Sequence, residues 1–99
     1  MTDAQPPRQA IRTLQARKRI ALIAHDGKKS EMLEWATRWQ GVLSQHELIG
    51  TGTTAGRLKS TLGLSVEGLM SGPLGGDQQI GARIAEQRLD VLIFFWDPF

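Results

Sequence analysis

The apolar positions change period several times along the chain, and each change marks an element. Ile20-Ala21-Leu22-Ile23-Ala24 is an unbroken apolar run closed by His25-Asp26-Gly27. A run without alternation suits a strand covered on both faces, as in a parallel sheet. From Ser30 the spacing becomes three and four. Met32, Trp35, Ala36, Trp39, Val42 and Leu43 then fall on one helix face, with Ser30 placed to cap its first turn. Trp35 and Trp39, one turn apart, are expected in the core or at a subunit interface. Leu48-Ile49-Gly50 is a second strand. The helix that follows runs through Leu58 and Leu62 and stops at Gly63. Ser65 to Met70 is a third, weaker strand, and Ile80, Ala82, Ile84 and Ala85 give the next helix a partly apolar face. Asp90 then leads into Val91-Leu92-Ile93-Phe94-Phe95-Trp96, the strongest strand pattern in the chain, closed by Asp97-Pro98.

This β-α-β-α-β-α-β order predicts an α/β fold: a three-layer α/β/α arrangement, a parallel sheet with right-handed crossovers and helices on both faces. Residues 1–18, with Pro6 and Pro7, read as an irregular basic arm, and residues 19–99 as the domain. In open sheets of this kind ligands sit beyond the carboxyl ends of the strands. His25-Asp26, Thr51 to Thr54, Ser71 to Asp77 and Asp97 each follow directly on a strand, so separate strand ends deliver polar residues to one rim.

Composition narrows the possibilities. A chain of 99 residues, 40% hydrophobic and 22% charged, is enough for one small domain. The absence of cysteine removes disulfides and thiolate metal sites, and fits a reducing cytoplasm. No apolar run approaches the roughly 20 residues a membrane span needs, so no membrane partner is expected. The net charge of +2 draws on Arg8, Arg12, Arg17, Lys18 and Arg19 in and next to the arm. No aromatic residues are interleaved with them, so they read as a solvated arm and no nucleic-acid partner is expected.

Thr51-Gly52-Thr53-Thr54 places hydroxyls and a glycine where a helix should begin. That is either an anion site built on the helix start or a cap that serves the backbone. Ser71-Gly72 offers another hydroxyl and a close backbone approach, and Lys28 or Lys29 can supply a cation. No Gly-Lys-Ser/Thr follows the glycines, so this is not a nucleotide P-loop, and the spacing is not that of a dinucleotide fingerprint. Asp77, after Gly75-Gly76, is either a helix N-cap or a carboxylate held against a bound phosphate ester. Near His25 it suits proton abstraction beside a carbonyl. Asp26 and Asp97 are caps or members of the same proton network. The other histidine, His46, lies at the far end of the first helix, and no metal site is expected.

Four blocks then carry a resemblance. Ala24-His25-Asp26 with Lys29, Thr51-Gly52-Thr53-Thr54, the stretch from Ser71 through Gly75-Gly76-Asp77-Gln78-Gln79 to Ala82, and Asp90 to Pro98 resemble methylglyoxal synthases in order and separation. The resemblance covers the chain from about residue 19 onward. It implies a carbon–oxygen lyase acting on phosphates, which converts dihydroxyacetone phosphate to methylglyoxal and inorganic phosphate through an enediol(ate), a bypass of lower glycolysis. In that family Asp77 matches the catalytic base and His25 the histidine near the substrate's carbonyl oxygens. Lys29, Thr51, Gly52, Thr53, Thr54, Ser71 and Gly72 match the phosphate-binding positions. No cofactor is implied. The implied setting is a cytoplasmic homo-oligomer, typically a hexamer, often inhibited cooperatively by phosphate.

Ala55 stands where the family usually has glycine, with little effect expected. The family's domain also continues past Trp-Asp-Pro into a segment with another active-site histidine and aspartate, a final strand and helices. The resemblance therefore implies a domain without that last strand, its 91–96 strand left as an apolar edge. Two alternatives to a lyase stay open: a non-catalytic phosphate-binding effector module, as in related domains of carbamoyl phosphate synthetase, and an inactive fragment.

Overall fold

A computed structural model describes residues 17–96. Of the basic arm only Arg17 and Lys18 fall among them, and Asp97 lies outside the described residues. Strand β1 (Arg19–Ala24) leads through a 3-10 turn (Asp26–Lys28) into helix α1 (Lys29–Arg38) and the short helix α2 (Gln40–Leu43). Strand β2 (Glu47–Thr51), helix α3 (Gly52–Leu62) and strand β3 (Val66–Leu69) follow. A second 3-10 turn (Gly72–Leu74), helix α4 (Gly76–Ala85) and strand β4 (Val91–Phe95) complete the order.

All four strands are parallel and their order is β3-β2-β1-β4. The unbroken apolar run of β1 is thus a central strand, and Ala21 and Leu22 are fully buried. Met32 and Ala36, one turn apart, set α1 on one face of the sheet beside Leu22 and Ala24, and Leu58 of α3 joins them. Burying a side chain such as Leu58 stabilises the fold by about 1.5–3 kcal/mol. On the opposite face Ile80 of α4 packs with Ala21, Ile23 and Ile49. Helices on both faces of one parallel sheet give the three layers read from the sequence.

One local expectation is corrected. Helix α1 begins at Lys29 with Lys28 as its N-cap, so Ser30 is not the cap. The 3-10 turn before it already bonds Lys28 N–H to the His25 carbonyl at 2.8 Å, and the helical trend starts early. Of the two tryptophans, Trp35 packs edge-on against Phe95 with centroids 5.5 Å apart, whereas Trp39 is 46% exposed. Strand β4, the most apolar in sequence, lies at a sheet edge as expected, with Leu92 and Phe94 more than two-fifths exposed. Gly63 ends α3 as read, with φ 66° and its N–H on the Lys59 carbonyl at 3.0 Å. Ala55 is 1% exposed, its methyl part of the core.

The base of the sheet is closed by ion pairs. Arg19 donates through its guanidinium and its own N–H to the Asp90 carboxylate at 2.8–3.2 Å, and Asp90 N–H returns a bond to the Arg19 carbonyl. These bonds hold the Asp90 carboxyl down at about 2. Arg83 of α4 similarly holds the Glu67 carboxyl of β3 below its ordinary range.

Candidate functional site

The carboxyl ends of β1, β2 and β3 open on one cavity of about 540 Å³, within the usual range for a small-molecule site. It is lined by Ala24, His25, Asp26 and Lys29 from the β1 end, and by Thr51 and Thr53 from the β2 end. Ser71, Gly72 and Asp77 come from the β3 end, with Ile23 and Phe94 forming an apolar wall. Parallel strands with a helix after each bring these short, distant segments together, and they leave the starts of α3 and α4 at the same rim. Helix starts present amide N–H groups and the positive end of the helix dipole, which favour anions.

Lys29 is 7% exposed. An ammonium in the interior is costly unless its hydrogens are received. Here Nζ donates to the Ala24 carbonyl at 2.5 Å and to Thr54 Oγ1 at 3.4 Å, and lies 3.6 Å from the Asp26 carboxylate. The Asp26 side chain is fully exposed, so water screens that ion pair and the two hydrogen bonds matter more. Lys29 is also one of the residues that line the cavity. Lys28, the other cation considered from the sequence, instead pairs with Glu31 at 3.0 Å. Lys29 is therefore the lysine of the cavity.

The first two threonines of the Thr-Gly-Thr-Thr stretch differ from the last. Thr51 and Thr53 line the cavity. Thr54 is 1% exposed, and its hydroxyl accepts the Ala24 N–H at 3.3 Å as well as the Lys29 bond. Gly52, at φ 22°, sends its N–H to the Met70 carbonyl at 3.3 Å. A Cβ there would lie 2.8 Å from Ser71, so glycine lets the threonine loop and the serine loop touch. Thr54 and Gly52 thus stand behind the cavity and join its parts.

Asp77 is the second residue of α4, whose N-cap is Gly75 at φ 115°. It is therefore a first-turn carboxylate and not the cap itself. A Cβ on Gly72 would lie 3.3 Å from Asp77 Oδ1, so the acid sits directly against the Ser71-Gly72 backbone. His25 follows β1, its N–H bonded to the Phe95 carbonyl at 3.0 Å, and its ring meets the Phe94 edge with centroids 5.2 Å apart. Phe94 is a lining residue that the sequence does not single out, since an apolar residue within a strand carries no chemical signal of a site. Asp26 lines the cavity at the head of its 3-10 turn. His46 precedes β2 at the opposite end of the sheet, its Nδ1 accepting the Lys18 N–H at 3.0 Å. The cavity joins a buried cation, several hydroxyls, a histidine and the carboxylates of Asp26 and Asp77. It can hold a small anion while presenting a base to a neighbouring carbon.

Comparison with known proteins follows the same lines. The profile of the MGS-like domain matches residues 31–99. A methylglyoxal synthase of Saccharophagus degradans is 58% identical over 86 residues, which is 87% of this chain and 56% of that protein. One from Proteus mirabilis is 54% identical over 91% of this chain and 59% of its own length. The crystal structure of methylglyoxal synthase from Elizabethkingia anophelis NUHP1 superposes with a TM-score of 0.82 at 52% identity, covering 84% of this chain and 55% of that one. The chain spans somewhat over half the length of the curated relatives it matches.

Proposed function

Since the chain belongs to the MGS-like domain family, we propose that its cavity binds dihydroxyacetone phosphate and eliminates phosphate to give methylglyoxal. Lys29, the Thr51 and Thr53 hydroxyls, Ser71 and Gly72 receive the phosphate, with the α3 start adding its amides. Thr54 and Gly52 act from behind, holding Lys29 and the serine loop in place. His25 lies toward the carbonyl and hydroxyl oxygens.

Asp77 takes a proton from the carbon bearing the hydroxyl, and the electron pair moves into the carbonyl to form the enediol(ate). The hydroxyl of the enediol then gives up its proton, which the C2 oxygen takes up, and its oxygen pair forms the aldehyde carbonyl. The enediol double bond shifts toward the methylene carbon, the bond from that carbon to the bridging oxygen breaks, and phosphate leaves with the pair. The resulting enol of methylglyoxal loses its hydroxyl proton and gains one at the methylene carbon. Atoms balance without an added reactant. A general base in such a step contributes about 10²–10⁴-fold. In this scheme inorganic phosphate, the product, also inhibits by occupying the cavity, and the protein works in the cytoplasm as a homo-oligomer.

The observation that carries the proposal is the Asp77 carboxylate packed against Gly72, in the same cavity as Lys29 and His25. Incubation with dihydroxyacetone phosphate should release methylglyoxal and phosphate in equal amounts. Asp77→Asn should lower the rate by at least about 10²-fold while still binding phosphate. Equal rates for the two proteins would overturn the proposal. Phosphate binding without turnover would instead make this a non-catalytic effector module.

A further inference from the structure

We propose that Gln79, which does not line the cavity, is a positioning residue that fixes the Ser71-Gly72 loop relative to Asp77. The inference rests on the phosphate-binding reading of that loop given above.

Leu69 is the last residue of β3 paired in the sheet, opposite Thr51. Met70 lies beyond the ladder, so no strand receives its N–H. The Gln79 side-chain carbonyl does, at 2.8 Å. The Met70 carbonyl in turn accepts the Gly52 N–H of the threonine loop at 3.3 Å. One peptide residue is therefore tied on one side to the helix that carries the acid and on the other to the start of α3.

The helix is pressed close to the same place. A Cβ on Gly76 would fall 2.0 Å from the Met70 oxygen, and Gly76 N–H donates to the Ser71 carbonyl at 2.8 Å. Asp77 and Gln79 are two positions apart on α4, and residues at that spacing do not face each other. Asp77 can thus point into the cavity while Gln79 grips the loop backbone. The amide suits this place chemically. It accepts the Met70 N–H without adding a second negative charge beside Asp77 and a bound phosphate.

The test compares the full chain with Gln79→Leu and Gln79→Asn, which remove or shorten the acceptor, and Gln79→Glu, which keeps it. Three quantities are read: hydrogen exchange of the Met70 amide by NMR, inorganic phosphate affinity by calorimetry, and turnover of dihydroxyacetone phosphate. In the Leu and Asn variants Met70 should exchange at least about fivefold faster and phosphate should bind about fivefold more weakly, the loss of one net hydrogen bond. Their kcat should fall at least about tenfold, by more than KM rises, because the acid and the phosphate lose register. The Glu variant should restore Met70 protection, while its added charge beside Asp77 keeps phosphate affinity below that of the wild type.

Unchanged Met70 exchange in both variants, or wild-type affinity and kcat despite faster exchange, overturns the proposal. So does a Glu variant in which Met70 exchanges as fast as in the Leu variant. Should the wild type bind phosphate without turnover, the lyase reading falls and Gln79 is judged on exchange and phosphate affinity alone. A wild type that binds no phosphate overturns the positioning role with the site.

Discussion

Lys29 and Thr54 meet inside the protein, the ammonium 3.4 Å from a hydroxyl that also accepts the Ala24 N–H. Three segments converge there: the end of β1, the start of α1 and the start of α3. The cation that faces the cavity is thereby positioned by a side chain that the cavity does not touch.

Thr54→Val keeps the shape but removes the acceptor from two buried donors. Its cost should be about 1–3 kcal/mol in chemical denaturation, together with weaker phosphate binding. Thr53→Val, at an exposed position lining the cavity, should weaken phosphate binding with a stability change within about 0.5 kcal/mol. Equal stability losses would mean that the two threonines are not divided in this way.

Lys29→Met tests the part of the cation in binding. Removing Nζ takes a donor from the buried Ala24 carbonyl and Thr54 hydroxyl, so a stability cost of about 1–3 kcal/mol is expected. Under conditions where the variant stays folded, phosphate affinity measured by calorimetry should fall at least about tenfold, the loss of a charge-assisted bond. Retained affinity would remove Lys29 from the site.

Two glycines of α4 should respond oppositely to alanine. At Gly76 the added methyl meets the Met70 carbonyl at 2.0 Å, so Gly76→Ala must displace the serine loop and should cost at least about 1–3 kcal/mol. At Gly81 nothing lies within 4 Å, and alanine should stabilise the exposed helix by about 0.4–1 kcal/mol. Thermal melts of both variants check the pair.

Acid should loosen the base of the sheet in a defined window. The Asp90 carboxyl titrates near 2 in the folded protein, held down first by its hydrogen bonds from the Arg19 side chain and backbone. A folded value below the unfolded one of about 3.9 stabilises above pH 4 or so, and that stability is lost as pH falls toward 2. Asp90→Asn should flatten the dependence of stability on pH between those limits, measured by urea titrations. An unchanged slope would assign the acid response to other carboxylates.

Much of the architecture was legible because each element repeats a simple period. β1 shows its burial as an unbroken apolar run, and α1 shows its inner face as Met32 and Ala36. The rim was legible too, since a parallel sheet sends His25, Thr51 and Ser71 to one edge. What stayed hidden depends on tertiary approach. Lys28 and Lys29 are neighbours in sequence, yet only the helix phase turns one inward. Thr53 and Thr54 carry the same chemistry, and only the close seating of α3 on the sheet separates them. Gln79 looked like any polar residue of an exposed helix until the Met70 N–H was placed against it. The edge position of β4 was legible only through the resemblance, because its apolar sequence says nothing about how many neighbours it has.

The order of the sheet also bears on how the chain reaches it. β1 can pair with β2 once α1 and α2 have been made, but its other edge pairs with β4, Ile20 with Val91, 71 positions later. Closing so long a loop carries more entropic cost than any other pairing in the sheet. On a ribosome adding about 5–20 residues per second, the edge of β1 waits roughly 4–14 seconds for its partner. During that interval the most deeply buried strand of the sheet has one edge unpaired on the nascent chain, so the rate of synthesis bears on the yield of native protein through this one strand.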